Sequence, residues 1–325
     1  MATPPQPVRF ALGTFSAAGG SPFPGLVVDD RVADLGQALQ WRPASTLDVL
    51  ERWTEVLPSL RRLASEAREW LPLDGLRVHA PVAPRQVFQS GANYRQHVID
   101  LVVAHRPADS AESEEQARAR AAELMDRRAR EDQPYVFIGL PSAITGPHDD
   151  VVLPSWCEQP DWELELTAVI GTPAHRVSPE EALRHVAGYT IANDLTARDL
   201  VFRKDMREIG TDWLRSKNAP GFTPLGPYLV PVEFVPDPSD LRLTLKLNGD
   251  TMQDESTKDM IFDVARMVSC VSQTTTLLPG DLVLTGSPAG NGMHHGRLLR
   301  DGDVMESTIT GLGAQRTRCV AEERA

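Results

Sequence analysis

No stretch of the chain approaches the ~20 consecutive apolar residues that a membrane-spanning helix needs, so no transmembrane anchor is expected. Cysteine is scarce too. Cys157, Cys270 and Cys319 stand apart with no CxxC spacing, which argues against a zinc knuckle or a disulfide framework and fits a reducing cytoplasm. Basic residues are outnumbered, 33 Lys and Arg against 45 Asp and Glu, for a net charge of −12. That deficit speaks against nucleic acid or an anionic membrane as partner, because both need a basic footprint. An anionic small molecule stays open, since a bound divalent cation inverts the local field. The opening "MATPPQPVRFALG" lacks a charged-then-apolar secretory pattern, so no export signal is expected.

What the chain has in quantity is turn chemistry: 26 prolines and 23 glycines in 325 residues. Residues 7–35 read as short strands between Gly and Pro turns. Two helices should follow, "STLDVLERWTEVL", capped by Ser45 or Thr46, and "SLRRLASEAREWL", with Pro58 between them. These segments make a small N-terminal α+β unit at 1–80. Within the remainder, 81–325, residues 104–134 differ in composition. Ser113 and Gln116 form a capping box, and Ala117, Ala121, Leu124 and Met125 give a thin apolar stripe. A solvated surface helix and a lid over a site both fit that segment. From 135 to 320 strands dominate. "LRLTLKLNGD" alternates and reaches Asn248-Gly249, a hairpin signal. "DMIFDVARMVSCVSQTTTLLPGD" reads as one helix, and "DLVLTGSPAGNG" as a strand running into a Gly/Pro-rich loop. Without repeated strand–helix alternation, an α+β fold is expected rather than a doubly wound or barrel α/β fold.

The chemistry gathers around "DWELELTAVIG", residues 161–171. Side chains two apart on a strand share a face, so Glu163 and Glu165 point one way and Trp162, Leu164 and Leu166 the other. Two like charges this close raise each other's pKa unless a cation lies between them. An edge strand with one wet face explains the pair, and so does a hard divalent cation, Mg²⁺ or Mn²⁺. In "GYTIANDLTARDL" a third carboxylate, Asp194, follows an apolar run and should sit at a strand end. Three carboxylates with open positions left over suit a chelating substrate better than a closed structural site. His97 has Asp100 one helical turn away, and such a carboxylate can fix the ring's tautomer and leave its other nitrogen as a base. His79, His105, His148, His175 and His185 stand alone, and His294-His295 face opposite ways on a strand. Lys217 is either a surface lysine or a stabiliser of a developing oxyanion.

The segments "NYRQH", "DWELELTAVIG", "AGYTIANDLTARDL", "SKNAPGFTPLGPYLV" and "LLPGDLVLTGSPAGNG" stand in the order and spacing of the fumarylacetoacetate hydrolase family. The resemblance covers about residues 85 to 318. It implies a mixed β-sandwich or roll as the core and a homodimer. It also implies a metal-dependent enzyme, with Mg²⁺ or Mn²⁺, that cleaves a carbon–carbon bond of a 2,4-dioxo acid such as an acylpyruvate. Relatives of that kind also decarboxylate oxaloacetate-like acids or isomerise related enols, and a scaffold that binds metal without turnover is the non-enzyme alternative. By the resemblance, Glu163, Glu165 and Asp194 hold the metal, and His97, Asp100 and Lys217 are catalytic. Substrate contacts fall to Tyr94, Arg198 and the loop residues Thr285, Gly286 and Ser287. Three departures stand out: Asp100 where glutamate is usual, Val201 where a glutamine is common, and Gly139 where a lysine is typical. Fewer polar contacts imply a larger or more apolar acyl group, as in aromatic or secondary-metabolite catabolism.

Overall fold

The computed structural model describes residues 8–104, 106, 112–208 and 210–323. His105, among the lone histidines, lies outside these, as do 107–111 of the 104–134 segment. Helices and strands are mixed without alternation, as the α+β expectation required. The first five strands, from Ala11–Ser16 to Arg77–His79, form one sheet, covered by the helices Thr46–Glu51 and Trp53–Glu66. Ser45 caps the first of these in a full capping box with Asp48. The break between them falls at Arg52, and Pro58 lies inside the second helix instead of separating the two. Pro58 is exposed and lies one turn after exposed Thr54, so the carbonyl that proline leaves unpaired belongs to the solvent side of the helix.

A six-stranded central sheet follows. Its strands lie in the order Val230–Pro231, Val186–Asn193, Leu164–Ile170, Leu282–Leu284, Val87–Gly91 and Tyr135–Gly139. A five-stranded sheet packs against one face and contains the expected Asn248-Gly249 hairpin between Arg242–Leu247 and Asp250–Ser256. Both turn residues have positive φ, 53° and 93°, as a two-residue hairpin turn demands. Leu164, Leu166, Ala168 and Ile170 join the core on that side, together with Leu243, Leu245 and the helix Val264–Thr274. That helix starts at Val264, capped by Asp263, so Ile261 precedes it and does not ride on it. Val169, of opposite parity, packs with Leu12, Leu50 and Trp53 of the N-terminal part. The acidic strand is therefore covered on both faces and has a neighbour on each side. The wet-edge explanation of Glu163 and Glu165 fails, because every residue of Leu164–Ile170 is buried.

The helix Arg95–Ala104 carries His97, and the capped helix Glu114–Glu131 packs along it. Ala117, Ala121 and Met125 are the buried stripe. Arg95–Asp126 and Arg118–Asp100 ion pairs bind the two helices together. Arg266 donates to the carbonyls of Ala129 and Asp132 and so fastens the far end. Among the described residues, no helix is long and apolar enough to cross a membrane.

Candidate metal centre

Register delivers the site. Leu164 stands opposite Asn193 in the antiparallel pair, so Glu163, just ahead of one strand, meets Asp194, just past the other. The Asp194 N–H donates to the Glu163 carbonyl at 2.8 Å and extends the ladder by one rung. Thr167 pairs with Leu284 on the other side, which brings the Thr285–Ser287 loop level with Glu165. The Gly286 N–H donates to Glu165 Oε2 at 2.7 Å. Gly286 has φ +89°, and a Cβ there would lie 2.8 Å from Asn93 Cβ. Both the turn and the close approach require glycine.

Carboxylate oxygens of Glu163, Glu165 and Asp194 lie within 4.8 Å of one another. Two cations are threaded among them. Lys217 Nζ donates to Glu163 Oε2 at 2.6 Å, to Asp194 Oδ2 at 2.7 Å and to the Asp194 carbonyl at 3.0 Å. Arg198 bridges Glu163 Oε1 at 2.5 Å and Asp161 Oδ2 at 2.8 Å. Lys217 is only 2% exposed, so it is no surface lysine. Burial works against ionisation of Glu163, but Arg198 and Lys217 outweigh it and hold that carboxyl down at about 2. Asp194 goes the other way: burial pushes it up to about 6, with Lys217 pulling back and Glu163 adding repulsion. Glu165 rises well above the ordinary carboxylate range, through burial first and the charges of Asp194 and Glu163 next. Its Oε1 is buried without a hydrogen-bond partner. An unmatched carboxylate oxygen, in a set of hard oxygen donors that repel one another, fits a divalent cation of the Mg²⁺ or Mn²⁺ type.

The remaining expected residues take varied positions. His97 is half-buried, and burial lowers its pKa, with Glu163 raising it and Arg198 lowering it. The ring is thus neutral near pH 7, as a base must be. Asp100 turns elsewhere: its Oδ1 accepts from Gln96 Nε2 and Arg118 Nη1, both at 2.8 Å. Among the described hydrogen bonds none joins it to His97, and it acts on that ring as a nearby charge. Tyr94 is fully buried with its hydroxyl unpartnered, and burial and Glu165 drive its pKa up. The Thr285 hydroxyl is spent on the Leu166 carbonyl at 2.8 Å. Ser287 Oγ accepts from Gln253 Nε2 at 2.9 Å. His79 bonds Ser16; His294 and His295 lie on the short helix Gly292–His295 and not on a strand, meet edge to face, and the His295 Nε2 bonds the Met252 carbonyl at 3.0 Å. All three cysteines are free.

Three site-building residues carried no assignment from the sequence. Asp161 is completely buried and accepts from Trp162 N, Gly292 N and Arg198 Nε. It locks the arginine to the end of the glycine-rich loop. Gln253 accepts from Leu164 N at 3.1 Å and donates to Ser287 Oγ and the Pro288 carbonyl, latching loop to strand. Gln89 Nε2 donates to Asp194 Oδ1 at 2.6 Å. Only Asp161 had a signal, a third acid directly ahead of the E-x-E pair.

Comparison with known proteins agrees with this geometry. A family model described as fumarylacetoacetate (FAA) hydrolase C-terminal matches residues 86–320. The chain is 35% identical over 302 residues to a 2,4-didehydro-3-deoxy-L-rhamnonate hydrolase of Sphingomonas sp. strain SKA58, covering 91% of this chain and 92% of that one. It is 39% identical over 274 residues to a human mitochondrial oxaloacetate tautomerase, covering 83% and 78% respectively. The solved structure of maleylpyruvate hydrolase from Sphingobium sp. SYK-6, in complex with manganese(II) and pyruvate, superposes with a TM-score of 0.72. Its sequence identity is 25%, and the match covers 96% of this chain and all of that one.

Proposed function

The chain belongs to the fumarylacetoacetate hydrolase family, and from that premise we propose that it is a divalent-metal-dependent hydrolase that cleaves a carbon–carbon bond of a 2,4-dioxo acid. The observation that carries the proposal is the convergence of Glu163, Glu165 and Asp194 around the unpartnered Glu165 Oε1, with a neutral histidine beside them. Manganese and pyruvate in the maleylpyruvate hydrolase complex support the same assignment.

Glu163, Glu165 and Asp194 would hold Mg²⁺ or Mn²⁺, which when bound supplies Lewis-acid polarisation of a carbonyl oxygen. The chain's own side chains do the rest. His97 takes a proton from water, and the resulting hydroxide adds to the distal carbonyl. As the carbon–carbon bond breaks, its electron pair leaves as an enolate, and Lys217 offers the nearest ammonium to the developing oxygen. General-base action contributes about 10²–10⁴-fold, and placed positive charge must supply much of the remainder. Arg198, clamped by Asp161, gives the reactant's carboxylate a fixed guanidinium to face.

The acyl group we propose is larger or more apolar than a small dicarboxylate. Beside Lys217, whose Nζ lies 5.9 Å from the Phe137 ring centroid, Trp213 stacks on Phe137 at 4.4 Å and donates to Tyr135 Oη. Trp213 and Lys217 are four apart on one short helix and share a face, so this aromatic ledge begins one turn from the ammonium. Val201 adds a buried apolar side chain nearby. The proposal includes a homodimer working in the cytoplasm on a soluble keto acid.

A second reading, tautomerase or decarboxylase of an oxaloacetate-like acid, draws on one observation. Asp100 is committed to Gln96 and Arg118, and a proton shuttle needs a less rigidly oriented histidine than water activation does. Mass spectrometry of products from a panel of 2,4-dioxo acids and oxaloacetate, with Mg²⁺ and with chelator, separates the two. Hydrolysis yields two acids and decarboxylation CO₂, whereas tautomerisation leaves the mass unchanged while enol absorbance decays. Metal binding without turnover across the panel would favour a scaffold.

A further inference from the structure

The Asp194 carboxylate is gripped from two sides. Lys217 takes Oδ2, and Gln89 takes Oδ1. Gln89 is fully buried. Chemistry fixes the orientation of its amide, because an ionised carboxylate only accepts and the amide nitrogen must face it. The amide oxygen is thereby turned to the opposite side, where it is buried and unpartnered. Gly139 stands there. In the antiparallel pair Gln89 lies opposite Phe137 and Val87 opposite Gly139, so Gly139 is the diagonal neighbour of Gln89 on the same face. A Cβ at position 139 would fall 2.7 Å from Gln89 Oε1, 2.8 Å from its Cδ and 3.1 Å from Val87 Cγ1. Gly139 is not among the glycines with positive φ. Space, not backbone conformation, is what calls for glycine here.

We infer that Gln89 is a positioning residue for Asp194 and that Gly139 is its obligate partner, since any side chain at 139 would push the amide off the carboxylate. The inference rests on reading Glu163, Glu165 and Asp194 as a divalent-cation site and deepens it. Each carboxylate oxygen has about two acceptor positions, so Oδ1 can keep the amide bond and still face a cation. Losing such an outer partner typically weakens metal affinity by about 10–100-fold.

The test is calorimetric titration of Mn²⁺ into the full chain and four variants: Gln89→Met, Gln89→Ala, Gly139→Ala and the Gln89→Ala/Gly139→Ala double. Each melting temperature is also read in chelator. Gln89→Met keeps the volume and loses the donor, so it should weaken Mn²⁺ binding about tenfold or more with little change in melting. Gly139→Ala should weaken binding in the same direction. The double variant should bind no more weakly than Gln89→Ala, because the added methyl meets a shortened neighbour. A purely structural role would lower melting and spare the affinity. Gln89→Met binding Mn²⁺ as tightly as the unaltered chain would overturn the inference, as would effects of the two alanine changes that simply multiply. Should Gly139→Ala not fold, the Gln89→Met titration still decides. An unaltered chain that takes up no Mn²⁺ defeats the metal-centre reading, and this inference with it.

Discussion

Glu165→Gln should make the protein more stable and at the same time useless. In the folded chain Glu165 Oε2 accepts from Gly286 N, while Oε1 is buried with no partner and the charges of Asp194 and Glu163 stand close by. A glutamine keeps the acceptor for Gly286 and turns an NH₂ donor toward those two carboxylates. Leaving a buried polar group unpaired costs roughly 1–3 kcal/mol, so the exchange should stabilise the metal-free protein by about 1–2 kcal/mol. Because the Glu165 carboxyl is raised in the folded state, its ionisation opposes folding progressively as pH rises, and the advantage of glutamine should widen in that direction. Metal reverses the order. At a hundredfold excess over Kd a cation stabilises the unaltered chain by about 2.7 kcal/mol, and a variant lacking one ligand forfeits most of that. The assay is urea denaturation with chelator and with Mn²⁺, at pH 7 and pH 8.5. A Glu165→Gln variant that is less stable in chelator, or that keeps the full Mn²⁺ stabilisation, would refute the argument that this carboxylate is strained for the sake of a ligand.

Other consequences are as direct. His97→Ala should lower turnover by about 10²–10⁴-fold while leaving Mn²⁺ affinity alone, and full hydrolysis without this ring would remove it as the base. Burial pushes the Asp194 carboxyl up to about 6 and raises Glu165 well above the ordinary carboxylate range, so metal uptake must expel the Glu165 proton and, below about pH 6, that of Asp194 as well. Mn²⁺ affinity should then fall by about tenfold or more per pH unit as the pH drops from 7 to 5, and a flat profile over that range would contradict this. Asp161→Asn sets an amide donor against the Arg198 guanidinium. Breaking a buried pair costs 3–5 kcal/mol, and with 19% of the Arg198 side chain exposed we expect the low end, about 3 kcal/mol. A loss under about 1 kcal/mol in urea denaturation would mean that the clamp contributes little.

Much of this centre was legible because its residues violate their surroundings. Two glutamates in a run that otherwise asks for burial, and an aspartate at the end of a β-branched stretch, announce themselves without coordinates. Local chemistry was equally readable where it is truly local, as with the Ser113 capping box and the Asn248-Gly249 turn. The strand's central position was not, because an E-x-E face looks the same at a wet edge and at a buried metal site until its neighbours are known. Gln89 and Gln253 were invisible as site residues, and Asp161 showed only as a third acid ahead of the pair. The partners of the two glutamines lie 34 to 105 residues away, and an ordinary amide has no pattern of its own. His97 and Asp100 show the opposite hazard: correct helical spacing placed them within reach, and tertiary contact with Arg118 then took the carboxylate away. Pro58 misleads for a similar reason, since on an exposed helix face solvent can replace the bond that proline removes.

Anomalous diffraction at the manganese edge, from crystals of the unaltered chain grown in Mn²⁺, tests the centre most directly. The account predicts one strong peak per chain, about 2 Å from oxygens of Glu163, Glu165 and Asp194 together. Saturating Mn²⁺ with no peak there, Glu163 and Asp194 still bound to Lys217 and Arg198, and Glu165 Oε1 still unpartnered, would contradict it.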